Sequence, residues 1–135
     1  LATAGSGRLY VNDVDEKTET TYTNDTIDYD SPTNWSIGAS TSGTTRYSGV
    51  LAEFVFASGQ YLDFSIVANR RKFISSSGKP VYLGADGSAP TGTAPIVYQR
   101  VADGAAVATF ATNLGTGGNF SITGTLDLGS TNPSD

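Results

Sequence analysis

The sequence predicts that residues 1–135 form a single all-β domain with one short helix. Threonine, serine and glycine are abundant, there are seven tyrosines and six phenylalanines, and strong helix formers are few. This composition is typical of short strands joined by glycine-containing turns. A chain of this length removes about two-thirds of its unfolded surface from water. We therefore expect a proper core, although no cysteine is present to crosslink it.

The first predicted strands are residues 8–14 and residues 35–40, which both alternate between apolar and polar residues. Alternation with a period of two places the apolar side chains of each strand on one face. Trp35 lies on such a face, and we expect it to be buried in the core. Residues 41–45, centred on Gly43, predict the loop of a hairpin.

The most apolar stretch is residues 49–57, which Glu53 alone interrupts with a charge. A run that is apolar on both faces predicts a central strand covered from both sides. We expect its large side chains to be buried, namely those of Leu51, Phe54, Val55 and Phe56. Further strands are predicted at residues 95–100, 107–111 and 120–128.

One segment, residues 65–74, breaks the strand pattern. Ile66 and Val67 recur seven residues later as Phe73 and Ile74, which is the spacing of one apolar face of a helix. The sequence therefore predicts one short helix here.

The composition also excludes several classes of function. The chain contains no histidine and no cysteine, so serine–histidine chemistry and cysteine nucleophiles are excluded within it. The net charge of −5 and the pI of about 4.4 argue against a nucleic-acid partner, because an acidic surface repels phosphates. No apolar stretch approaches the roughly 20 residues that span a bilayer, and we expect no membrane insertion.

Three motifs carry a resemblance to a known family: LAEFVFASGQYLD, ANRRKFI and GKPVYLGADGSAPTGTAP, all within residues 48–100. This stretch resembles the concanavalin A-like (laminin-G-like) domains encoded by many phages and prophages. LYVNDV and WSIGAS are similar to the middle strands of those domains, and FATNLGTGGNFSITGTLDLGSTNPSD is similar to their last strands. The resemblance implies an antiparallel two-sheet β-sandwich of the jelly-roll type.

The resemblance also implies a place on the virion, or otherwise outside the cell. Our first hypothesis is a non-catalytic surface module of a phage capsid or tail that contacts host glycans or other virion proteins. The alternatives are a purely architectural decoration or cement protein and a polysaccharide-degrading enzyme. Related domains carry several strands before the LYVNDV-like segment, so we expect a homo-oligomer or a chain docked on a larger assembly.

Closely spaced acidic residues follow the first predicted strand: Asp13, Asp15, Glu16, Glu19, Asp25, Asp28 and Asp30. Carboxylates such as those of Asp13, Asp15 and Asp28 are the oxygen ligands that calcium prefers, but the spacing matches no EF-hand loop. It also lacks the carboxylate arrangement of the glucanases that share this fold. We therefore favour a solvated acidic loop, with no cofactor other than a possible calcium ion and no catalytic residue.

Glu53 is the one charged residue in the most apolar predicted strand. A buried carboxylate without a partner costs several kcal/mol, so we expect an ion pair. Arg70 and Arg71, on the predicted helix, are the nearest basic candidates in the sequence.

Aromatic side chains offer flat faces on which sugar rings stack, and the candidates are Trp35, Tyr47, Tyr61, Tyr82 and Tyr98. Tyr47 lies beside Arg46 at the end of a predicted loop, and we expect its ring to be exposed. The predicted ligand-binding residues are therefore Arg46 and Tyr47, together with Asn12 and Asp13.

Overall fold

The computed structural model describes residues 7–16 and 34–129. Their regular secondary structure is mostly strand, in two small antiparallel sheets, with little helix. The chain divides into two compact units, Leu1–Gly49 and Val50–Asp135. Four members of the acidic run, Glu19, Asp25, Asp28 and Asp30, lie outside the described residues. No helix within the described ranges is long and apolar enough to cross a membrane.

The first described element of the first unit is a short hairpin whose turn has two residues. Strand β1 (Tyr10–Val11) pairs antiparallel with β2 (Val14–Asp15). The prediction of one strand over residues 8–14 is wrong, because the chain reverses at Asn12 and Asp13. Both residues have positive φ, 50° and 69°, which is the backbone of a type I′ turn, and Asn and Asp are among the residues that tolerate it.

A second short hairpin follows in the same unit. Ala39 and Arg46 form an antiparallel bridge, and the amide of Ser40 donates to the carbonyl oxygen of Thr45 at 2.8 Å. The predicted hairpin loop at residues 41–45 is therefore confirmed. The prediction that Trp35 is buried is wrong, since 54% of it is exposed. The single bridge that follows it gives too little sheet to cover a side chain of that size.

The second unit is built on β3 (Glu53–Phe56) and β4 (Val97–Arg100), which pair antiparallel. Its fully buried side chains belong to β4 and the segment before it, namely Pro95, Tyr98 and Gln99, joined by Leu83. Strand β4 is therefore the centre of the core. The prediction of a central strand buried on both faces at residues 49–57 is wrong: Leu51 is exposed, and Phe54, Val55 and Phe56 are only half-buried.

A loop takes the place of a strand along the other edge of β4. The side chain of Asn113 accepts from the amide of Tyr98 at 2.9 Å and donates to the carbonyl oxygen of Ile96 at 2.9 Å. The amide of Leu114 donates to the carbonyl oxygen of Tyr98 at 2.8 Å. A Cβ at Gly115 would overlap the carbonyl oxygen of Pro95, so glycine is required where the loop approaches the strand.

The remaining predicted elements are only partly present. The helix predicted at residues 65–74 is found as α1 (Val67–Arg70), followed by turns. The strand predicted at residues 107–111 is wrong, because Val107–Ala111 is a 3₁₀ helix. The strand predicted at residues 120–128 is also wrong, since those residues form no strand in the structure.

Candidate functional site

Glu53 lies at the centre of a small polar cluster on one face of the β3–β4 sheet. The strand register places Arg100 directly opposite Glu53, and Arg100 Nε lies 3.4 Å from Glu53 Oε1. The hydroxyl of Tyr98 donates to the same oxygen at 3.3 Å. The expected ion pair is therefore present, but the prediction of Arg70 or Arg71 as the partner is wrong. Arg70 instead donates to the carbonyl oxygens of Phe64 and Ser65.

The pKa values in this cluster follow from burial. Burial raises the pKa of Glu53, while the Arg100 charge and the Tyr98 hydroxyl oppose that rise. Burial and the nearby Glu53 carboxylate raise the pKa of Tyr98 to about 12. The Arg100 guanidinium also lies over the Tyr82 ring, 4.5 Å from its centroid. Because these groups contact one another, we assign the cluster a structural role.

The Glu53–Arg100 pair predicts a pH-dependent stability. A carboxyl group whose pKa is raised on folding stabilises the protein below its unfolded pKa, and this contribution is lost as the pH rises through the folded pKa. Arg100→Met removes the charge that limits the rise in the pKa of Glu53. We expect this variant to lose on the order of 2 kcal/mol at pH 7 and clearly less at pH 4, in urea unfolding at both pH values.

The control is the double variant Glu53→Gln, Arg100→Met, in which the extra pH dependence is expected to disappear. An equal loss at pH 4 and pH 7 for Arg100→Met alone would show that the pair does not form.

The predicted ligand residues fall into two local structures of the first unit. Asn12 and Asp13 are the central residues of the β1–β2 turn, where their positive φ angles serve the hairpin. Arg46 Nε donates to the carbonyl oxygen of Gly43 at 3.0 Å, across the loop of the second hairpin. Tyr47 is 59% exposed, as expected. Asn12, Asp13 and Arg46 thus each have an identified role in the geometry of their own hairpin.

Within its described residues, the structure does not bring the predicted calcium ligands together. Asp13 lies in the β1–β2 turn, Asp15 pairs with Arg8 at 3.8 Å, and Asp28 lies outside the described residues. Within residues 7–16 and 34–129, no three acidic side chains are grouped so that they could hold a metal ion.

The second unit contains an aromatic cleft of about 380 Å³. It is assembled from β3, the loop after it, the segment after α1 and the loop before β4. Phe64 and Phe73 form an edge-to-face pair with centroids 5.5 Å apart. Tyr61 also lines the cleft and is 76% exposed, so its ring lies at the rim. The described lining is Val55, Ala57, Gln60, Tyr61, Leu62, Phe64, Phe73, Gly87, Pro90, Thr91 and Pro95.

Two polar side chains of the cleft are held in fixed positions. Gln60 Nε2 donates to the carbonyl oxygen of Ala94 at 3.1 Å. The hydroxyl of Thr91 donates to Gln60 Oε1 at 2.6 Å and accepts from the amide of Thr93 at 3.2 Å. The cleft thus combines an exposed aromatic face with oriented polar groups, which is the usual composition of a small-molecule site.

Sequence reasoning named Tyr61 among the aromatic candidates but missed the cleft itself. Gln60 and Thr91 are 31 residues apart, and neither residue has a local pattern that would join it to the other. The contact between Glu53 and Arg100 was easier to predict. Antiparallel pairing of the two predicted strands, residues 49–57 and 95–100, brings Arg100 opposite Glu53.

Comparison with known proteins identifies no relative of the chain. No family model matches the chain, and neither a curated protein nor a solved structure matches it.

Proposed function

We propose that the chain is a non-catalytic module on the surface of a bacteriophage particle and that it binds host glycans through the aromatic cleft. The place on a phage rests on the resemblance of residues 48–100 to phage-encoded concanavalin A-like domains. The binding activity rests on one observation: the exposed ring of Tyr61 lies on the same cleft as the hydrogen-bonded Gln60–Thr91 pair. Sugars need such a pairing of a flat apolar face with polar neighbours.

The proposal extends to the fold and to the partners. We propose that the complete fold is a jelly-roll β-sandwich of two antiparallel sheets, to which β3 and β4 contribute neighbouring strands. Further copies of this chain, or other virion proteins, are then the proteins that anchor it. Pairing of strand edges between chains gives affinity without special side chains.

The contacts of the Glu53 carboxylate support the proposal that the chain is not an enzyme. This half-buried carboxylate is engaged by Arg100 and by the Tyr98 hydroxyl, as in a structural ion pair. A general acid instead needs a free approach to its substrate. Neither histidine nor cysteine is present to replace it.

Binding to host polysaccharides is expected to depend on Tyr61. Tyr61→Ala removes the exposed ring, and we expect affinity for the tightest-binding bacterial surface polysaccharide to fall about tenfold, since aromatic burial and stacking contribute about 1–2 kcal/mol. Titration calorimetry with purified capsular, O-antigen and peptidoglycan fragments provides the measurement.

Tyr47→Ala is the matched control, because Tyr47 is also an exposed tyrosine but belongs to the first unit. Its affinity should equal that of the native chain. A loss with Tyr47→Ala and none with Tyr61→Ala would move the site to Arg46 and Tyr47. Release of reducing sugar during the titration would instead indicate an enzyme.

Location on the particle is a separate expectation. Antibodies against the chain should label intact particles of a phage that encodes it, at regular positions on the capsid or tail in immunogold electron microscopy. Label confined to lysed debris would contradict the proposed location. Label at capsid symmetry axes, in a chain that binds no polysaccharide, would favour a decoration protein.

A further inference from the structure

The apolar lining of the cleft is not confined to the Tyr61 ring at its rim. Tyr61 at the rim is enough to stack one ring, but Phe64 and Phe73 lie beyond it, together with Val55 and Leu62. Hydroxyl groups placed against that floor would lose their hydrogen bonds to water without replacement, which is unfavourable. A ligand that fits the whole cleft therefore carries an apolar substituent as well as an apolar ring face.

The polar pair specifies the kind of polar group beside that substituent. The Gln60 amide donates one proton to Ala94 and accepts one hydrogen bond from Thr91. A primary amide has two donor protons and two acceptor lone pairs, so one donor and one acceptor site remain on Gln60. A secondary amide on the ligand, with one N–H and one C=O, complements them.

The charge of the lining indicates a neutral ligand. None of the described side chains that line the cleft is charged. The nearby ammonium group of Lys72 donates to the carbonyl oxygen of Pro90 at 2.8 Å. A carboxylate or sulfate in the cleft would be desolvated with no charged lining group to compensate it.

We propose that the cleft recognises an uncharged N-acetylated hexosamine unit of the glycan. The sugar ring stacks on Tyr61, the acetamido methyl group packs on Phe64 and Phe73, and the acetamide hydrogen-bonds to Gln60. This inference rests on the proposed glycan-binding function and adds the class of sugar. A cleft of about 380 Å³ is near the lower end of the roughly 300–1,000 Å³ of small-molecule pockets, which suits a small unit of a chain.

The test is a set of titrations of the full chain, followed by NMR, with N-acetylglucosamine, N-acetylgalactosamine, glucose, galactose and glucuronic acid. We expect each N-acetylated sugar to bind about fourfold more tightly than its parent hexose, the factor that corresponds to one buried methyl group. Phe64→Leu removes a ring from the floor, and this preference should shrink in that variant. Thr91→Val, which keeps the shape but loses the hydroxyl, should weaken both classes of sugar.

The outcomes separate this inference from the proposed function. Hexoses that bind as tightly as their N-acetylated forms, with an affinity that still depends on Tyr61, would overturn the inference and leave glycan binding in place. Tighter binding of glucuronic acid would do the same. If no sugar or polysaccharide binds, both the inference and the proposed function fail.

Discussion

Tyr98→Ala is expected to lower the free energy of unfolding by about 3–5 kcal/mol, the usual cost of truncating a buried aromatic side chain. Tyr98 is fully buried in the middle of β4. A Cβ at Gly87 would lie only 2.9 Å from the Tyr98 ring and 3.0 Å from Pro95, so these groups pack closely. Urea unfolding followed by circular dichroism measures the loss.

Two substitutions serve as controls for this result. Tyr98→Phe keeps the ring and loses only the hydroxyl, which bonds to Glu53 and to the backbone of Leu83, so it should cost about 1–2 kcal/mol. Tyr61→Ala, at an exposed position, should change stability by less than about 0.5 kcal/mol. A Tyr98→Ala variant within about 1 kcal/mol of the native chain would show that β4 is not the centre of the core.

Asn113→Ala is expected to cost about 3 kcal/mol. The Asn113 side chain accepts from the amides of Tyr98 and Gly115 and donates to the carbonyl oxygen of Ile96. Its removal leaves the amides of Tyr98 and Gly115 unsatisfied, whereas the carbonyl oxygen of Ile96 keeps the amide of Gly117 as a donor. Each unsatisfied buried group costs about 1–3 kcal/mol. Access of water to the loop offsets part of the loss. The loss of stability is measured as a shift of the urea unfolding midpoint, with the dependence of the unfolding free energy on urea concentration unchanged.

Asn34→Ala is the matched control, since Asn34 is an exposed asparagine in the first unit and its loss should change stability by less than about 0.5 kcal/mol. Equal effects of the two substitutions would show that Asn113 does not hold the loop against β4.

Local pattern was sufficient where one element could be recognised from its own residues. Residues 95–100 contain β4, and the loop at residues 41–45 has Gly43 at a positive φ of 71°. The same reasoning missed the reversal at Asn12 and Asp13. Its signal was present in the sequence, since two residues that tolerate positive φ stand together inside an alternating run.

Elements that depend on distant partners could not be predicted in this way. Residues 107–111 have the composition of a strand, but local bonds form a 3₁₀ helix instead: both the amide and the hydroxyl of Thr109 donate to the carbonyl oxygen of Ala106. Asn113 has no sequence signal for its role, because its partners are backbone groups of β4. Tertiary context decided both cases.

The candidate site likewise has features that the sequence predicts and features that depend on the fold. The sequence places Tyr47 and Tyr61 among the aromatic candidates for sugar stacking, but it predicts an exposed ring only for Tyr47. The choice between them needs the fold, because Gln60 and Thr91, which line the cleft with Tyr61, come from segments that meet only in the folded second unit. Arg46, which stands next to Tyr47, is instead bonded to its own loop.

The most direct measurement is an NMR titration of the ¹⁵N-labelled chain with the polysaccharide fragment that binds most tightly in calorimetry. If glycans bind in the cleft, the largest amide shift changes fall at residues 60–64 and 87–95, and in Tyr61→Ala about tenfold more fragment is needed to reach half of the full change. The amides of Arg46 and Tyr47 stay unchanged. Shift changes centred on Arg46 and Tyr47, or none at all with saturating fragment, would contradict the proposed function.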